Sequence, residues 1–416
     1  MIGQAVNPAL VSTSAARVKV PTVALGNPVA AVAATSMRRK LSWQGRSICQ
    51  HASLRWALTL LAAAIVLAQT ASASAEGELT LRGVYYKERA TRVEEPILDA
   101  TSDVGDHGEI TGNLAIDVIT SASVAAGADA KAFTEKRYEA GGGYSHTIGR
   151  YRISGNGRYS TESDYVARYL GAGLTIDLAE KNTQLALGGG HSRDDISNAG
   201  AQSPFATLFE GEMKSTMAFL SLTQLVGPNS LVGVSADFSS ISGFQSNPYR
   251  LAITNQGLIS ERHPSERLRQ AYAVTGRYFL AATATTLIGV YRYYRDDWAV
   301  RGHTPEVRVV QEVGDTVEAS IRFRYHRQSR AYFYQDRYDT SDVMIQPFLT
   351  DDVKLSRFTT KTLEAKLAVH GDTFGIEGRW GAARLEGMLQ YVVQDNRFGN
   401  AVIAHVAVTV PFGGSY

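Results

Sequence analysis

The chain has 416 residues, with 42 Lys or Arg against 40 Asp or Glu, and a single cysteine. A net charge of +2 and a mean hydropathy of −0.13 exclude a bundle of membrane helices and leave no basic excess for nucleic acid. One cysteine excludes a disulfide framework and a thiolate metal cluster.

Residues 1–36 are rich in Ala, Val and Pro and carry no acidic group and no sustained period. They are read as unstructured, or as an artefact of a start placed upstream of Met37. From Met37 the pattern changes. Arg38, Arg39, Lys40, Arg46 and Arg55 are basic, Trp56 to Ala68 is an apolar run, and Ala73-Ser74-Ala75 fits a small-residue cleavage site. That is a secretory signal peptide over 37–75, since the run is shorter than the roughly 20 residues a spanning helix needs. Removal of residues 1–75 takes away seven basic residues and no acidic one, so 42 falls to 35 against 40 and the charge of +2 becomes −5. Cys49 leaves with it and does not directly follow the apolar run, which speaks against a lipoprotein anchor.

Residues 76–416 read as one domain of alternating segments about ten residues long, joined by connections that are short and long in turn. The short ones fall at Gly105 to Gly108, Ile148 to Arg150, Glu180 to Asn182, Gly227 to Ser230, Ala281 to Ala284 and Gly314 to Thr316, with a looser one at Gly371 to Gly375. The longest are Val124 to Glu135, Ile196 to Met213, Gln245 to Leu268 and Ser329 to Arg357. This predicts an all-β fold, a transmembrane antiparallel β-barrel of about sixteen strands, with fourteen as the alternative. Val93 to Asp103 and Ala299 to Val313 alternate weakly and make the count uncertain. In the last strand Val402, Ala404, Val406, Val408, Val410 and Phe412 share one face, with Tyr416 in phase. Such a strand suits a closing strand whose apolar side meets lipid. The twenty tyrosines are spread along the chain near strand ends, as in Tyr85-Tyr86, Tyr159, Tyr165, Tyr278 and Tyr293-Tyr294, and are expected to form two interfacial girdles.

Several stretches carry a family likeness: Tyr85-Tyr86-Lys87-Glu88, Ser121-Ala122-Ser123, Tyr159 to Val166, Asn247-Pro248-Tyr249-Arg250, Tyr291 to Trp298 and Arg322-Phe323-Arg324-Tyr325. Together they resemble a family of uncharacterised bacterial exported proteins regarded as outer-membrane barrels. The likeness thins after Asp342. It implies the barrel and a bacterial outer-membrane location, and supplies no substrate.

With the apolar face outward, the opposite positions line the lumen. There Arg82, Arg152, Arg158, Arg277, Arg292, Arg322, Arg324, Glu364, Lys366 and Arg384 recur, with Asp117, Glu139, Asp177 and Glu386 among them. Basic residues in a lumen favour anions, so the leading reading is a channel or binding barrel for a small solute, anions preferred. The same residues can instead close the lumen as a salt-bridged network in a structural or adhesive barrel. A rim hydrolase is the third reading, from His191, Ser192, Asp194 and Asp195, and from Asp296, Asp297 and His303. Adjacent strand residues face opposite ways, so His191 and Ser192 cannot pair without a bend. No catalytic set and no cofactor are assigned. Arg295, Asp296, Asp297 and Trp298 are expected to fix a strand-to-loop turn through hydrogen bonds to arginines. Acidic pairs such as Glu162 with Asp164 offer oxygens to Ca²⁺, but lack the spacing of a calcium loop and are read as solvated, so no metal is expected. The expected partners are outer-membrane lipid, lipopolysaccharide, the barrel-assembly machinery through the last strand, and a further copy of the chain. Nucleic acid is not expected.

Overall fold

The computed structural model describes residues 76–89, 91–121, 133–198, 209–248, 250–339 and 347–413. The expected signal peptide, the segment before it, Tyr416 and most of Val124 to Glu135 lie outside these residues.

The described residues form a closed antiparallel barrel of sixteen strands, with one separate two-stranded hairpin. The first half of the wall comprises β1 (Gly77–Lys87), β2 (Thr91–Val104), β3 (Gly108–Ser121), β4 (Phe133–Ile148), β5 (Tyr151–Thr161), β6 (Tyr165–Leu178), β7 (Thr183–Ser197), β8 (Glu210–Gly227) and β9 (Ser230–Gly243). The hairpin β10 (Leu251–Thr254) and β11 (Gly257–Ser260) follows outside the wall. The wall resumes with β12 (Glu266–Leu280), β13 (Thr285–Asp296), β14 (Arg301–Val313), β15 (Val317–Gln328), β16 (Phe358–His370), β17 (Arg384–Gln394) and β18 (Ala401–Phe412). β18 closes the circle on β1 through an unbroken register from Gly77 opposite Phe412 to Lys87 opposite Val402.

Both weakly alternating segments are full strands, β2 and β14. Each holds a proline, and the pairing is interrupted there: β2 to β3 skips Glu95 and Pro96, and β14 to β15 skips Thr304 and Pro305. Proline has no N–H for the ladder. On the long-loop side the connections after β3, β7, β9 and β15 are long as expected, whereas those after β1, β5 and β13 are as brief as the short turns. Gly149 and Gly314 take positive φ, near 60°, in two of the short turns, a conformation that glycine adopts without steric cost. The looser short connection runs on to Ala383 and contains two helical turns, Gly371–Phe374 and Gly378–Gly381.

The wall has an apolar outside. Leu170 is 74% exposed, Ile321 61%, Leu389 58% and Val406 56%, and Leu114, Ile153, Val274, Val307, Leu363 and Leu367 are exposed with them. A continuous belt of this kind far exceeds the few hundred Å² of apolar patch that a soluble surface carries, and fits lipid contact. No described helix is long and apolar enough to cross a membrane; the strands are the spanning elements. Outward tyrosines stand at both ends of the wall: Tyr144, Tyr151 and Tyr278 toward the short turns, Tyr85, Tyr138, Tyr159 and Tyr391 toward the long loops. Tyr86, Tyr165 and Tyr294 depart from the girdle, because each follows the strand alternation inward. Tyr86 donates to Glu88, and Tyr165 is 2% exposed.

Candidate functional site: the lumen and its long-loop rim

Register assigns the lumenal positions. Arg322 stands opposite Arg308 and Glu364, Glu364 opposite Gln390, and Gln390 opposite Ile403, which faces Tyr86. The same parity carries Arg82, Arg152, Arg158, Arg277, Arg292, Arg324, Lys366 and Arg384 to the inside.

Most of these cations are already paired. Arg82 meets Asp99 at 2.5 Å, Arg158 meets Glu139 at 3.3 Å, and Arg324 meets Glu306 at 2.7 Å. Arg322 contacts both Glu364 and Glu306, and Gln390 donates to the same Glu364 oxygen as Arg322 does. Lys366 and Arg384 share Glu318 and Glu386, with His405 at the edge of that group. The result is a belt of ion pairs over β14 to β18. The arginine pair expected to point at the β16 wall is therefore split: Arg322 goes to β16, while Arg324 turns to Glu306 on β14. Arg152, Arg277 and Arg292 form no ion pair among the described residues. Arg152 donates to Thr147.

The charge is also unevenly placed around the circle. β12 to β15 carry Arg267, Arg269, Arg277, Arg292, Arg308, Arg322 and Arg324 on the lumenal face, against Asp296, Glu306, Glu312 and Glu318. β2 to β4 carry Glu95, Asp99, Asp117, Glu135 and Glu139 there, against Arg137. In the closed strand order these two walls lie about half a circle apart. Apolar side chains share the lumenal face beside the acidic wall: Val84, Ile97, Ala115 and Ile403 form a buried cluster with Met388 and Val392 on the β17 side.

The long loops fold inward. Trp298, Val300, Ala331, Phe333, Tyr334 and Leu355 make a buried core against the lumenal Tyr294. Ala252 of the hairpin packs with Tyr338 and Leu349, and strand-like bridges join Thr254 to Tyr338 and Arg262 to Leu349. Gln328, on the lumenal face of β15, ties this body down by donating to the carbonyls of Lys354 and Ser356. Buried charge is placed inside it. Arg250 reaches Asp352 at 2.8 Å and Glu261 at 3.7 Å, Thr350 donates to Glu261, and Arg397 reaches Asp351 at 2.6 Å. Burial would raise the Asp352 carboxyl, yet Arg250 and Lys354 hold it well below the usual carboxylate range. Burial pushes the Lys354 amine down to about 8 against the pull of Asp352. The sequence shows no plug because these apolar residues follow no period.

At the β13–β14 turn, Asp296 accepts from Arg267 at 2.5 Å, from Tyr294 at 2.8 Å and from the Val300 amide at 2.9 Å. Asp297 accepts from the Leu268 amide. Arg267 lies over the Trp298 ring, 4.1 Å from its centroid, and the indole donates to the Glu266 carbonyl. The arginine that serves the turn is thus Arg267 of β12; Arg295 points outward and donates to Gln270.

The residues of the hydrolase reading are not brought together. His191 faces outward beside Thr216, while Ser192 and Asp194 face in and Asp194 accepts from Tyr165 at 2.5 Å. Asp195 pairs outside with Arg168. His303 is bound to Tyr291 on the outer face, away from Asp296.

Residues 122–375 match the family described as "Protein of unknown function (DUF3570)". The match spans more than half of the chain, and the chain belongs to that family. No curated protein matches it. Among solved structures it is similar to a bacterial polysaccharide outer membrane secretin, at 8% identity and a TM-score of 0.48, covering 82% of this chain and 99% of that one. It is also similar to a BenF-like porin from Pseudomonas fluorescens Pf-5, at 11% identity and 0.43, covering 81% and 98%. Pseudomonas aeruginosa OprD gives 8% identity and 0.43, covering 81% and 95%.

Proposed function

From membership of a family without an assigned activity and a lumen lined by opposed charges, we propose that this is a bacterial outer-membrane channel for a small polar solute, with the long loops facing outward. The observation that carries the reading is the separation of charge across the lumen. An arginine-rich wall on β12 to β15 faces an acidic wall on β2 to β4, so the field runs across the passage rather than along it. Such a field orients a solute bearing both charges and slows apolar ones, whose approach disrupts ordered water without compensation. Arg277 and Arg292 have no ion pair among the described residues, and they supply the anion-favouring part. The inward-folded loop body restricts the mouth and keeps the conductance small.

The test is planar-bilayer recording from the refolded barrel under a salt gradient. Small steady steps with an anion-shifted reversal potential are expected. A correctly folded barrel that passes no current defeats the channel reading. It would favour the structural barrel, which the loop core and the paired ladder of β14 to β18 also suit.

A further inference from the structure

Where β4, β5 and β6 reach the long-loop rim, three carboxylates meet. Glu135 lies near the start of β4, and Glu162 and Asp164 flank Ser163 in the connection from β5 to β6. One oxygen from each lies within 4.8 Å of the others. Oxygens that close can all bind one calcium ion, whose bonds are about 2.3–2.6 Å long. The three are 7%, 8% and 3% exposed, so water does not screen their mutual repulsion.

A second observation distinguishes this group from ordinary surface acids. Glu162 is more than nine-tenths buried, and neither of its carboxylate oxygens has a hydrogen-bond donor. Oε2 of Glu135 also has none. The other Glu135 oxygen accepts from Ser163 Oγ at 2.7 Å, which sets the side chain and leaves Oε2 turned to the cluster. Arg137, whose charge is felt at Glu162, is committed to Asp117 at 2.5 Å. Buried acceptors with no donor are costly, more so for carboxylates, and Arg137 acts on Glu162 only through its charge, with no hydrogen bond to its oxygens.

We propose that Glu135, Glu162 and Asp164 bind one hard divalent cation, Ca²⁺ in preference to Mg²⁺, at the outward rim of the barrel. The donors are all oxygen, which suits a hard cation and not zinc or copper. Three protein carboxylates suit calcium, which takes many oxygen ligands from the protein, whereas magnesium keeps several waters and is bound through one or two carboxylates. The bound ion would tie the ends of three neighbouring strands together.

The full chain, refolded in detergent free of lipopolysaccharide and stripped with a chelator, is titrated with CaCl₂ by calorimetry. One saturable site is expected, with a Kd of about 1 mM or tighter, as for calcium sites in extracellular modules. Glu162→Gln should weaken it by about tenfold or more, since affinity follows the charge of the ligand set. Asp195→Asn, which alters an exposed carboxylate on the outer face, should leave it unchanged. A titration without saturation, or binding that survives Glu162→Gln intact, overturns the proposal. Should that variant not fold, Mn²⁺ added to the unaltered protein gives the same decision by electron paramagnetic resonance. One bound ion displaced by Ca²⁺ supports the site, and an undiminished free-ion signal rejects it.

Discussion

The decisive residues differ in whether their charge is free. Arg322 sits between Glu364 and Glu306 with its side chain 8% exposed, so its task is to compensate buried carboxylates. Arg322→Ala leaves Glu364 with only Gln390 and should destabilise the barrel by about 3–5 kcal/mol, the usual effect of breaking a buried pair. The check is the urea midpoint at which heat-modifiable gel migration is lost; an unmoved midpoint would reject that role. On the channel reading proposed above, ion preference is assigned instead to Arg277 and Arg292, which form no ion pair among the described residues. Arg277→Glu with Arg292→Glu should carry the reversal potential toward cations while the urea midpoint stays put. Both sets were visible in the sequence as inward basic positions, because strand alternation fixes the face. Which of them would be paired was not, since cross-strand partners such as Arg82 and Asp99 depend on register between strands that the chain pattern leaves open.

At the scale of elements, the wall could be read from the chain and the loop body could not. Period-two alternation and turn residues located the joins in outline, and the prolines at 96 and 305 blurred β2 and β14 without removing them. The loop core has no such signal: Trp298, Phe333, Tyr338 and Leu349 are brought together by two separate loops. Replacing residues 251–260 by a short Gly-Ser link should remove the Ala252 contact, raise single-channel conductance and leave the wall intact by gel migration. An unchanged conductance would mean that the loop body does not restrict the mouth. The same body should resist mild acid. Asp352 is held below its unfolded value, so the stability it lends is complete above about pH 4 and is lost only as pH falls through its lower folded value. Proteolysis within residues 347–357 should therefore be as slow at pH 5 as at pH 8 and quicken only in stronger acid. Rapid cutting at pH 5 would contradict the role given to Arg250 and Asp352.

The whole molecule is a closed surface whose outside is uniform and whose inside is divided. The outside follows from one-residue alternation, legible except along β2 and β14; the divided inside is a property of strand order, since β13 and β3 become opposite only once the circle is closed. That closure also governs how the barrel can come into being. The first and last wall strands are partners along their whole length, so no shorter stretch of the chain is a finished object. Until β18 arrives, both borders of the growing sheet present unpaired backbone that any neighbouring strand could join. We propose that an escort shields both borders through the passage of such a polypeptide; copies cut short before β18 would keep both borders open.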